Sequence, residues 1–96
     1  MSIWVTIEAK VKGGSYEELL PFLEKNLPNT RSFPGSLTVS LFYDQETGNF
    51  LISEEWLSRE HHQNYIKFIS DNGAMSQLVS FLEGPPTIKY YSRLLV

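Results

Sequence analysis

The run Ile52-Ser53-Glu54-Glu55-Trp56-Leu57-Ser58-Arg59-Glu60, followed by His61, His62 and Tyr65, holds the densest set of groups able to do chemistry in this chain. Histidine titrates near neutrality, a carboxylate accepts a proton, and large aromatic rings orient flat ligands. In an extended segment Glu54 shares a face with Ile52 and Trp56, whereas Glu55 faces the other way, so one carboxyl of the pair looks inward. An inward carboxyl needs a partner or a protonated state; it is either an anchor to a buried donor or a base with a raised pKa. Trp56 ends the extended segment where the chain turns into a helix, and from there a large ring either floors a cavity or plugs the core. His62 falls on the inner face of that helix, one turn from Tyr65 and Ile66, as a packed histidine or as a titrating group. Tyr65, Tyr90 and Tyr91 carry hydroxyls that a phenolic ligand can meet.

Other chemistries have no residues to carry them. The chain has no cysteine, so there is no disulfide, thiolate nucleophile, iron–sulfur cluster or thiolate zinc site. Gly13-Gly14 is only a doublet and Gly84 leads into prolines, which leaves a nucleotide cofactor without a phosphate-cradling loop. His61 and His62 are adjacent on a helix and diverge too far to chelate one metal. No cofactor and no metal are expected. Ser53, Ser58 and Ser92 have ordinary strand or capping roles, so a hydrolase triad finds no support. Eight Lys and Arg against eleven Asp and Glu give a net charge of −3, which argues against nucleic acid as a partner. The alternating N-terminal segment is not a signal peptide and nothing later approaches a membrane span, so a cytoplasmic protein without a membrane partner is expected.

The elements that must position these groups are read from periodicity. Residues 1–96 form a single domain, since a chain of 96 residues with 42% hydrophobic and 20% charged composition has one ordinary core. Ile3 to Lys12 alternates as a half-buried strand, and Ser15 with Glu18 three residues on is a capping box opening a helix at Tyr16. Leu19, Leu20, Phe22, Leu23 and Leu27 make its apolar stripe. Pro21 should kink it, and Pro28 should end it or start a short second turn before Phe33-Pro34-Gly35. Ser36 to Tyr43 and Phe50 to Trp56 read as antiparallel neighbours joined by the Asp44 to Asn49 turn. Ser58 caps a second helix with His62, Tyr65, Ile66 and Ile69 inward, and Asp71-Asn72-Gly73 stops it. A short third helix carries Met75, Leu78, Val79 and Leu82, and Thr87 to Leu94 is the last strand. This order predicts an α+β, ferredoxin-like, four-stranded antiparallel sheet with helices on one face. The uncovered face carries Trp4, Phe42, Leu51 and Tyr91, and a second copy of the same sheet is its simplest cover, so a homodimer is expected.

Phe33-Pro34-Gly35 before the second strand, Glu55 to Glu60 as an acidic-Trp-x-Ser-Arg-Glu stretch, and Leu82-x-Gly84-Pro85-Pro86 before the last strand resemble the antibiotic biosynthesis monooxygenase family. The resemblance implies a dimeric α/β barrel of two ferredoxin-like subunits with a pocket between sheet and helices in each. It places Trp56 beside the substrate. Where several family oxygenases have an Asn, four residues before that Trp, this chain has Ile52, so an apolar side chain stands at that substrate contact. Haem-degrading members carry an Asn where this chain has Ile7 and a His where it has Met75, which argues against haem turnover. The family chemistry needs only dioxygen and an ionised polyhydroxy-aromatic, with no flavin or metal. Trp56 and Tyr65 would then supply walls, and His62 or Glu54 the proton acceptor. The expected function is a cofactor-independent monooxygenase acting on a quinol or polycyclic phenol; the rival is a small-aromatic-ligand binding or regulatory module without chemistry, which Ile52 favours.

Overall fold

Strict alternation along the strands builds a sheet with one dry face. In the computed structural model, which describes residues 1–96, the order is β1 (Ile3–Lys10), α1 (Tyr16–Ser32), β2 (Ser36–Tyr43), β3 (Asn49–Trp56), α2 (Arg59–Asp71), α3 (Ala74–Val79) and β4 (Thr87–Tyr91). The four strands form one antiparallel sheet in the order β2-β3-β1-β4, the ferredoxin-like arrangement. Val5, Ile7, Val39, Phe50, Ile52 and Trp56 point to the side on which Leu19 and Leu23 of α1 pack, and this is the core. Residues of opposite parity form the other face, which no helix covers. There Trp4 pairs with Tyr91 and Leu51 with Phe42, and Phe42 and Tyr91 are each about half exposed.

Two loops set the entry to α2. Phe33-Pro34-Gly35-Ser36 is a tight turn in which the Ser36 amide donates to the Phe33 carbonyl at 3.0 Å and Gly35 sits at φ +93°. Proline second and a positive-φ glycine third are what this turn type demands. At the start of α2, the Ser58 hydroxyl accepts from the His61 amide at 3.1 Å, the expected N-cap.

Several expectations are corrected. α1 runs unbroken from Tyr16 to Ser32 through both Pro21 and Pro28. The two prolines lie seven residues apart on the exposed face, so the carbonyls they free, at Glu17 and Glu24, face water rather than the core. Ser15 makes no side-chain cap; its backbone carbonyl takes the Glu18 amide instead. β1 stops at Lys10, with Val11 in an isolated bridge to Leu82, which lies beyond α3. β4 ends at Tyr91 rather than Leu94, because Leu94, Leu95 and Val96 find nothing to pack on and stay exposed. No helix is long and apolar enough to cross a membrane.

Candidate functional site

Only three polar side chains are buried in the chain, Thr30, Glu54 and His62, and all three border two adjoining hollows between sheet and helices. Buried polar groups are costly unless paired, so their convergence at one place is the main signature of a site.

Strand parity drives Glu54 inward. Its register partners are Val5 on β1 and Val39 on β2, so neither neighbouring strand offers it a charge. The Trp56 indole Nε1–H, two residues along the same face, donates to Glu54 Oε1 at 2.8 Å. Burial raises the Glu54 pKa above the usual carboxylate value, and the Trp56 hydrogen bond only partly opposes it.

Helical spacing brings His62 over this carboxyl. Its ring is fully buried, with Nδ1 2.8 Å from the Tyr90 hydroxyl and Nε2 3.6 Å from Glu54 Oε1. The second separation is too long for a hydrogen bond, and Nε2 has no other protein partner. Burial lowers the His62 pKa to about 4, so the imidazole is neutral at physiological pH. The unfolded chain protonates His62 as the pH falls through 6.5, whereas the folded chain does so only near 4. Its contribution to stability is therefore intact above pH 6.5 and is lost as the pH falls, by up to about 3 kcal/mol. Glu54 offsets part of this, since its raised pKa favours the folded state once the carboxyl is protonated. Melting curves between pH 7 and 4 should show a shallower acid loss in His62→Gln than in the unmodified chain.

Tyr65 closes the other side. Its hydroxyl and that of Thr30 on α1 are 2.6 Å apart, tying α2 to α1, and burial raises its pKa with the Thr30 bond opposing. The larger of the two hollows spans about 620 Å³ when the open space at its mouth is included. Ile52, Glu54 and Tyr65 form its inner end, Phe22 and Phe68 its flanks, and Asn26, Asn29 and Asn72 contribute polar groups. No Lys or Arg lines it. A smaller cavity of about 360 Å³ shares Ile52, Glu54 and Tyr65 and adds His62 with the apolar Ile7, Met75 and Ile88.

The structure thus brings Glu54, His62, Tyr65 and Ile52 together on cavity walls, and sets Trp56 behind them. Trp56 was expected as a wall but lines neither cavity; its fully buried ring packs behind the wall residues Tyr65 and His62 and against Phe33, and its one hydrogen bond goes to Glu54. The hydroxyls of Tyr65 and Tyr90 are engaged within the chain, and Tyr91 belongs to the opposite face of the sheet. His61 lies outside the cavities, its Nδ1 2.7 Å from the Ser58 hydroxyl. Sequence reasoning named Phe22 only as part of the apolar stripe of α1 and missed Asn26, Asn29 and Thr30, the last two because Pro28 was expected to end the helix or start a short second turn. The spacing of Asn26 and Thr30, one turn apart, was the available signal.

Among proteins of curated function none matches the sequence. Solved structures match the fold closely at low identity. A conserved protein from Methanosarcina mazei superposes with a TM-score of 0.86 at 17% identity, covering 98% of this chain and 94% of that one. A structure described as an antibiotic biosynthesis monooxygenase gives a TM-score of 0.84 at 20% identity, covering 96% and 98%. A monooxygenase of Streptomyces coelicolor in complex with nanaomycin D gives 0.79 at 17% identity, covering 99% and 90%. The family model described as antibiotic biosynthesis monooxygenase matches residues 2–67, from the first strand through the whole Glu54–Trp56–His62–Tyr65 constellation. The chain belongs to the antibiotic biosynthesis monooxygenase family.

Proposed function

We propose that this protein is a monooxygenase that uses dioxygen, without metal or flavin, to oxidise an electron-rich polycyclic phenol or quinol held in the larger cavity. The observation that carries the reading is the buried carboxyl of Glu54, raised in pKa, at the inner end of a largely apolar cavity. Nanaomycin D bound to the Streptomyces coelicolor relative supports a small-molecule occupant.

The chemistry asks little of the protein. Glu54 takes the phenolic proton, and the phenolate passes one electron to dioxygen. The resulting radicals join through a new C–O bond at the ring carbon para to the oxygen, and the peroxide recovers the proton held by Glu54. The para hydrogen then leaves as a proton, the O–O bond breaks, and water departs. Phenol and dioxygen thus become para-quinone and water, with all electrons drawn from the substrate. Tyr65 and Phe68 orient the ring, Trp56 holds Glu54 in place, and His62 stands behind Glu54 on the adjoining smaller cavity.

Chelator-treated protein should convert such phenols faster than the buffer blank, and under oxygen-18 gas the quinone should gain one labelled atom. Turnover under argon, or loss of turnover on chelation with recovery on adding a metal, overturns this reading. The second reading, a binding module without chemistry, is supported by Ile52, which leaves the wall beside Glu54 apolar; saturable binding without turnover would favour it. We also propose that the uncovered sheet face pairs with a second copy. Sedimentation should then give twice the 11.0 kDa chain mass, with a melting temperature that rises with concentration.

A further inference from the structure

Glu54 borders both cavities and His62 the smaller one, and either could be asked to take the substrate proton. The surroundings of the imidazole separate their roles. Its neighbours of consequence are Glu54 from β3, Tyr90 from β4, and Tyr65 and Arg59 from its own helix. The Arg59 guanidinium carbon lies 4.2 Å from the centre of the Tyr90 ring, and the Tyr90 hydroxyl is 2.8 Å from His62 Nδ1. A cation over the ring draws charge from the phenol and makes its O–H the better donor. Were Tyr90 instead the acceptor, Nδ1 would hold the proton and the bare lone pair of Nε2 would face Glu54 Oε1 at 3.6 Å, two electron-rich atoms opposed in a buried site. With Tyr90 donating, Nε2 bears the proton and its N–H faces the carboxyl oxygen, an attractive arrangement.

We infer that Tyr90 is a positioning residue: its hydroxyl donates to Nδ1, fixes His62 as the Nε2–H tautomer, and so makes His62 a hydrogen-bond donor and Glu54 the sole proton acceptor. The application to catalysis rests on the function proposed above, but the tautomer does not. Because Nε2 is buried without a protein partner on the wall of the smaller cavity, which meets the larger one at Ile52, Glu54 and Tyr65, its N–H is available to an oxygen that an occupant extends past Glu54 into that space, the charge-bearing oxygen of a phenolate or peroxide being the acceptor that gains most. Which ring nitrogen carries the proton is set by the bond the other makes, so Tyr90, remote from both reacting partners, governs what His62 offers them.

Nitrogen-15 spectra of the full chain with labelled histidine read the tautomer directly. In the unmodified protein near pH 7, His62 should show a protonated Nε2 and a bare Nδ1. Tyr90→Phe, which keeps the ring and Arg59 but removes the hydroxyl, should replace this single state with a mixture. Arg59→Met should weaken the same preference with Tyr90 in place. A proton on Nδ1 in the unmodified chain overturns the inference, as does an unchanged tautomer in Tyr90→Phe. If the tautomer is as stated but no phenol is turned over, the proposed reaction falls and the role of Tyr90 stands; if phenols are oxidised and Nδ1 carries the proton, the reverse holds.

Discussion

Glu54→Gln is expected to lower turnover roughly a hundredfold or more while leaving ligand affinity and melting temperature close to those of the unmodified chain. The amide is nearly the same shape, and its carbonyl oxygen can still accept from the Trp56 indole N–H, whose nitrogen lies 2.8 Å from Glu54 Oε1. What it cannot do is take a proton. Burial of an ionisable group flanked by Val5 and Val39 is unfavourable to its charged form, so neutralising it removes a cost rather than a support. The same burial should give the proposed reaction its pH signature. In the proposed reaction the ionised form is the active one, and its pKa is raised, so the rate should climb with pH through a midpoint above the ordinary carboxylate range. That limb should vanish in Glu54→Gln. Initial rates with a para-unsubstituted phenol from pH 4 to 9, beside ligand titrations followed by tryptophan fluorescence, check both halves. Equal turnover in the two proteins would remove Glu54 from the reaction.

The largest effect on stability is expected from Gly35→Ala, a change of one methyl group. Gly35 has φ +93°, a region in which an L side chain is strained by about 1 to 2 kcal/mol. Space is denied as well, since a Cβ there would stand 2.5 to 2.6 Å from Cγ, Cβ and Cδ2 of His61. Relieving such overlap costs a further 1 to 3 kcal/mol or so. The overlap with His61 Cβ cannot be removed by trimming the ring, so Gly35→Ala combined with His61→Ala should regain only part of the loss. The Gly35 carbonyl also accepts the Leu57 amide at 2.9 Å, which ties this turn to the end of β3 just before α2 begins. Urea unfolding should place Gly35→Ala well below the unmodified chain, with His61→Ala alone close to it. A loss smaller than about 1 kcal/mol would mean that α2 slides aside freely, which its packing against Phe33 opposes.

Much of the architecture was legible because alternation needs only local information. The parity of Ile52, Glu54 and Trp56 on β3, and the spacing of His62 and Tyr65 on α2, place each side chain on its correct face without knowledge of the rest. The course of α1 was not legible, because a helix survives two internal prolines only if the carbonyls they free face solvent, and exposure is a property of the assembled fold. That misreading hid Asn29 and Thr30, which lie beyond Pro28. Trp56 illustrates a different limit. Its position at a strand end is plain from sequence, but whether a ring touches a hollow or backs a residue that does depends on the depth of packing, and Phe33, Tyr65 and His62 cover it entirely. Tyr90 was visible only as one tyrosine among several, since its partner His62 lies 28 residues away.

The two prolines of α1 also bear on how an occupant reaches Glu54. A helix missing the backbone bonds to Glu17 and Glu24 loses cooperativity along its length, and brief opening of its turns costs less than in an uninterrupted helix. This is the helix that contributes Phe22, Asn26 and Asn29 to the cavity, whereas the sheet on the opposite side is laddered on both edges of β1 and β3. With α2 and the segment around α3 supplying the rest of the lining, the enclosure sets a fully laddered sheet against a helix whose own ladder is twice interrupted. Amide exchange along α1 should be faster than along β1 and β3, and a ligand bound against Phe22, Asn26 and Asn29 should slow it.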